Sequence, residues 1–170
     1  MTTTTQAPPM ADTTKLTLHF IRSLQEVLST MASTHVTVGK PTKKCDPIPT
    51  FDVSGIIGFS GDFIGSMVLS FRRSTALSIV KAFSGLDCAA ESPDFADAIG
   101  ELANMIAGSA KKAFGGTNIS LPTVIIGSGH IIARMQDVPC IVIPCDSPGG
   151  DFAVEINVKS VSKPAAQNHA

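Results

Sequence analysis

The chain of 170 residues has no tryptophan and no tyrosine, so stacking on nucleic-acid bases would fall to phenylalanine or arginine. It also lacks a surplus of either charge, with 13 Lys and Arg against 14 Asp and Glu and a formal net charge of −1. Together these absences set aside nucleic acid and anionic membrane surfaces as partners. No run of eighteen apolar residues occurs, and the first ten residues lack the basic and apolar regions of a signal peptide, so the chain reads as a soluble, cytoplasmic protein. There is no C-x-x-C and no ligand-like spacing among His19, His35, His130, His169 and the cysteines, so no metal site is expected. Cys45, Cys88, Cys140 and Cys145 read as free thiols, because a chain this long builds a core without staples. Neither G-x-S-x-G nor a phosphate loop is present; Ser60-Gly-Asp-Phe-Ile-Gly65 lacks the lysine of the latter.

What is present is a globular composition, 44 % hydrophobic, in a chain of one-domain length. Residues 1–12 are Thr- and Pro-rich and read as a disordered tail, 13–160 as a single domain, and 161–170 as a frayed tail. A first amphipathic helix is expected from Thr14 to about Ser33, where Leu16, Phe20, Leu24, Val27, Leu28 and Met31 recur at helical spacing. A short Val36-Thr37-Val38 strand follows, then a proline-rich loop or edge segment, Gly39 to Pro49. Asp52–Phe59 and Phe63–Phe71 flank the turn signal Ser60-Gly-Asp62 and read as an antiparallel hairpin. Phe63, Met67, Leu69 and Phe71 share one face of its second strand; Ile64, Val68 and two serines share the other, which is apolar enough to be partly covered. Ser74 is expected to cap a helix through Ser84 that stops at Gly85. Later strands are expected at Ile119–Ile126, interrupted at Pro122, at Val138–Pro144 and at Phe152–Val158. Long helices with sequential hairpins make an α+β fold, its helices packed against a mainly antiparallel sheet.

The most informative stretch is a long helix expected from Pro93 to Phe114. Ser92 is a good N-cap, Pro93 suits the first helical position, Lys111 and Lys112 complement the last turn, and Gly115-Gly116 offers a left-handed stop. Phe95, Ile99, Leu102 and Ile106 form the buried stripe, continued by Ala110 and Ala113. Asp97, Glu101, Asn104 and Gly108 fall opposite it. Asn costs several tenths of a kcal/mol relative to Ala, and Gly100 and Gly108 about 1 kcal/mol each. Poor helix formers so close together point to something that approaches the helix and touches its polar face.

Asp97-Ala-Ile-Gly-Glu101-Leu-Ala-Asn104-Met-Ile-Ala-Gly108 resembles the active-site helix of the CheC/CheX family, phosphatases of the chemotaxis response regulator CheY, in which an Asp or Ser is followed by Glu four residues on and Asn three further. Phe20–Met31, Gly61–Phe71 and Leu121–Gly127 resemble other parts of the family in the same order, so the likeness spans about residues 14–160. With one Glu-x-x-Asn helix and no internal repeat, the chain resembles CheX and not CheC, which carries two; the first helix has Glu26 but Ser29 three residues later. The resemblance implies a CheC/CheX-like fold, a homodimer, a CheY-type response regulator as partner, and no cofactor of its own, the Mg²⁺ being supplied by the phosphorylated receiver.

Hydrolysis of an aspartyl phosphate needs an in-line water, charge neutralisation and a metal ion, and the receiver supplies its own metal and lysine. What remains is to orient the water, which suits an amide that accepts from it while donating elsewhere. Asn104 takes that role. Glu101, one turn earlier, corresponds to the Glu that pairs with the regulator's lysine in the family; an exposed carboxylate is a poor base for water. Asp97 matches the Asp/Ser position, with docking or helix electrostatics as its role. Gly108 leaves room for the partner, and Lys111 extends the contact. The alternative is a non-catalytic module that binds and sequesters a receiver domain through the same face.

Overall fold

The computed structural model describes residues 10–161, with side chains from residue 13 onward. Its elements are α1 (Met10–Ala32), β1 (Thr37–Val38), β2 (Thr42–Lys44), β3 (Val53–Gly61), β4 (Phe63–Phe71), α2 (Arg73–Ser84), α3 (Pro93–Lys111), β5 (Thr117–Ile119), β6 (Thr123–Ile126), β7 (Cys140–Ser147) and β8 (Gly150–Ser160). Among the described residues the strands form one sheet in the order β1-β7-β8-β4-β3-β5, with β2 also on β7 and β6 also on β3, and every pairing is antiparallel. The expected α+β architecture is therefore present. Most of residues 1–12 and 161–170, read as tails, lie outside the described residues; α1 already begins at Met10.

Period-two alternation sorts each strand onto two faces. Met67, Leu69 and Phe71 of β4, with Phe152, Val154 and Ile156 of β8 and Val53 and Ile57 of β3, are buried beneath the three helices. Phe20, Leu24 and Leu28 of α1 and Phe95, Ile99, Leu102 and Ile106 of α3 are fully buried above them. Each such side chain contributes about 1.5–3 kcal/mol relative to exposure. α3 lies close on the sheet because Gly55 has no side chain: a Cβ there would stand 3.1 Å from Cβ of Ala103 and 3.2 Å from Cγ2 of Ile99.

The second face of the sheet is also covered. Residues 45–52 and 127–139 cross it, and buried polar side chains hold them there. Glu155, on β8, is 1 % exposed and accepts from Thr50 N and Thr50 Oγ1, each at 2.6 Å, and from Lys44 and Arg134. Next along the face, Asn157 accepts from Met135 N at 3.0 Å and donates to Val138 O at 2.8 Å. Ser70 Oγ accepts from Phe51 N at 2.8 Å, and Ser54 bonds His130 at 2.9 Å. A β strand that reads as Ala-Val-Glu-Ile-Asn gives no sign that its polar residues are interior, because alternation alone assigns them to solvent.

Several boundaries differ from the expectations. Arg72, not Ser74, is the N-cap of α2; it makes no side-chain cap bond and instead bonds Asp151 through Nε at 2.7 Å. That hydrogen bond holds the Asp151 carboxyl below its usual range and raises the Arg72 guanidinium. Gly85 ends α2 in the left-handed conformation, φ 73°, as expected. The proline-rich segment contains β2, short enough to fit between its prolines. β5 begins at Thr117, two residues early, while β7 starts at Cys140 and runs to Ser147, and β8 spans Gly150–Ser160, leaving Pro148-Gly149 as the tight link.

Candidate functional site

Ser92 accepts from Phe95 N at 3.2 Å, Pro93 occupies the first turn with Asp94, and Lys111 occupies the last, so α3 starts as its sequence dictates. It does not run to Phe114. Lys112 is the C-cap in right-handed conformation, and the chain tightens through Ala113 N to Ala110 O (3.1 Å) and Phe114 N to Lys111 O (2.8 Å). The tighter winding turns Phe114 inward against Phe20 and Phe63, ring centroids 5.9 and 5.1 Å away, and leaves Ala113 exposed instead of on the buried stripe. Aromatic burial thus outweighs continuation to the glycines.

Opposite the buried stripe, Asp97 and Glu101 are exposed and Asn104, Gly108 and Lys111 are partly exposed. Asp97, Glu101 and Asn104 make no side-chain hydrogen bond or ion pair with any described residue. The contrast with the second face of the sheet is informative, since there Glu155, Asn157, Ser70 and Ser54 each bond within the chain. On this ridge a carboxylate and, one turn on, an amide point outward together with their bonding capacity unspent.

The link from β5 to β6 walls one flank of the ridge. A Cβ at Gly100 would stand 3.2 Å from Pro122 Cγ, and one at Gly108 would stand 3.8 Å from Ile119 Cδ1. Gly100 is therefore buried for internal packing and does not belong to the approachable polar face. Pro122 both interrupts the strand and seats the link on α3. Gly108 is different, because 3.8 Å is ordinary contact and a methyl group fits within the chain. Gly108→Ala is expected to stabilise the protein by about 0.5–1 kcal/mol through helix propensity alone. A rise in the urea midpoint checks this; an unchanged or lower midpoint would mean that the glycine serves the fold.

A cleft of 1240 Å³ lies elsewhere, between the first turns of α1, the β2 segment and residues 133–141, and none of Asp97, Glu101, Asn104 or Gly108 lines it. Small molecules favour such concavities. An exposed helix ridge favours another macromolecule's surface. Nucleophilic thiol chemistry has no place at the ridge either: burial pushes Cys140 up to about 11 and Cys145 up to about 12, and they lie on opposite faces of β7. Among the described residues no group of three or more His, Cys, Asp or Glu is placed to hold a metal ion, and no helix is long and apolar enough to cross a membrane.

Residues 53–146 match the family described as chemotaxis phosphatase CheX. A solved CheX from Desulfovibrio desulfuricans is 33 % identical with a TM-score of 0.77, the match covering 86 % of this chain and 99 % of that one. A chemotaxis protein from Desulfovibrio vulgaris Hildenborough is 35 % identical with a TM-score of 0.77, covering 85 % and 97 %. The CheX of a CheX–CheY–BeF₃–Mg²⁺ complex from Borrelia burgdorferi shares the fold at 22 % identity, with a TM-score of 0.71 and coverage of 85 % and 98 %. No curated protein sequence matches significantly.

Proposed function

The chain belongs to the CheX family of chemotaxis phosphatases, and from that premise we propose that it hydrolyses the aspartyl phosphate of a CheY-type response regulator through the α3 ridge. The observation that carries the reading is the pair Glu101 and Asn104, side by side on an exposed helix face with no side-chain partner among the described residues. Asn104 accepts a hydrogen bond from the attacking water and holds it in line with the phosphoryl group. Glu101 pairs with the lysine of the receiver's phosphorylation site, which orients the two proteins. Mg²⁺ comes with the receiver, as the composition of the Borrelia complex supports, and neutralises charge on the phosphoryl oxygens.

Asp97 and Lys111 lie toward the two ends of the same ridge and contact the receiver beyond the reacting atoms, while Gly108 gives its backbone clearance. The chain acts as a homodimer with one site per subunit, a state that sedimentation equilibrium reads directly.

Glu101→Gln keeps the shape and removes the charge. Because Glu101 is exposed and pairs with no described residue, stability should stay within about 0.5 kcal/mol, whereas losing a charge-assisted contact should lower receiver dephosphorylation on the order of tenfold. Phosphate release from a phosphorylated receiver measures it. Full activity in Glu101→Gln would remove Glu101 from the contact.

A further inference from the structure

We infer that Leu121 is the apolar anchor through which the ridge holds its receiver, a contact separate from the chemistry at Asn104; the partner's identity rests on the phosphatase reading above. Leu121 is 88 % exposed, more than any other large apolar side chain described. A single exposed leucine is ordinary on a surface. Its setting is not, because it stands between two contacts to the functional helix, with Ile119 beside Gly108 and Pro122 beside Gly100.

The link that carries Leu121 is also tied down. Ser120 N donates to Gly58 O at 2.9 Å, Gly58 N donates to Ser120 Oγ at 2.9 Å, and Ser120 Oγ donates to Leu121 O at 2.7 Å. Fixing the backbone beforehand reduces the ordering cost of using the side chain as an anchor. The ridge itself offers charge and amide groups in water, which orient a partner but supply only part of the affinity a stable contact needs. A stable protein contact covers about 800 Å² on each partner, far more than two side chains. A receiver seated over Glu101 and Asn104 therefore extends across the β5–β6 link, because Gly100, against which Pro122 packs, immediately precedes Glu101. The matching surface on the receiver is an apolar depression beside its acidic phosphorylation pocket.

The test titrates Mg²⁺- and beryllofluoride-activated CheY-type receivers of the same organism with wild type, Leu121→Ser, Leu121→Met and Asn104→Ala for affinity, and separately follows phosphate release from the same receivers in their phosphorylated form at saturation. Leu121→Ser should weaken binding about tenfold or more with kcat and melting temperature unchanged, and Leu121→Met should restore most of the affinity. Asn104→Ala should lose turnover and keep binding. If wild type binds without hydrolysing and Leu121→Ser binds weakly, the anchor stands and the phosphatase reading fails. Unchanged affinity of Leu121→Ser overturns the inference, as does a change in its sedimentation, which would give Leu121 to a second copy of the chain. Failure of wild type to bind any receiver overturns both.

Discussion

Replacing Asn104 with alanine is expected to lower receiver dephosphorylation by about two orders of magnitude, the typical cost of removing one preorganised polar group from a reaction centre. The expectation follows from what the amide does not do in the free protein. Asn104 bonds no described residue, so its removal takes nothing from the fold and should slightly favour the helix, alanine being the better helix former. The loss should therefore fall on turnover, with receiver affinity and melting temperature held. Parallel measurement of phosphate release, receiver binding and thermal unfolding separates the three. Lost binding together with lost turnover would make Asn104 a docking residue; unchanged turnover would leave the water without an orienting group on this helix.

The largest effect on stability is expected at the opposite face of the sheet. Glu155→Ala leaves the Arg134 side chain, 8 % exposed, without its carboxylate and removes the acceptor of the Thr50 N–H, both partners of a residue that is 1 % exposed. Removing one member of a buried ion pair costs about 3–5 kcal/mol, because the other charge stays uncompensated. That is a large part of the 5–15 kcal/mol that holds a typical domain, so the midpoint of urea unfolding should fall sharply. Arg134→Met combined with Glu155→Leu should lose much less, since apolar replacement of a whole buried pair is often close to neutral. Equal losses in the single and double variants would locate the stability in packing of the 127–139 segment instead of in the ion pair.

The two halves of this molecule were unequally legible in its sequence. The helix face was readable because periodicity, cap and dipole signals at Ser92, Pro93, Asp94 and Lys111 agree, because Asn104 and Gly108 are poor helix formers on its polar side, and because the spacing of Asp97, Glu101 and Asn104 resembles the family's active-site helix. The hairpin was readable from alternation around Ser60-Gly-Asp62. Tertiary forces decided what was misread. Phe114 ends the helix early by turning into the core, and Gly100, which resembled an opening for a partner, makes room for Pro122 some twenty residues away. Least legible were Arg134, Glu155 and Asn157, polar residues in strand and loop contexts that ordinarily face water. Their burial depends on a crossing segment whose placement no local pattern specifies.

The most direct measurement of the central claim follows inorganic phosphate released from a phosphorylated CheY-type receiver held in large molar excess over this protein. A phosphatase turns over repeatedly, so the rate of loss should rise in proportion to the protein added, well above spontaneous hydrolysis, and Asn104→Ala should return it nearly to the spontaneous rate. Binding of the phosphorylated receiver without acceleration, or with its phosphate preserved, would contradict the account and make the α3 ridge a sequestering surface.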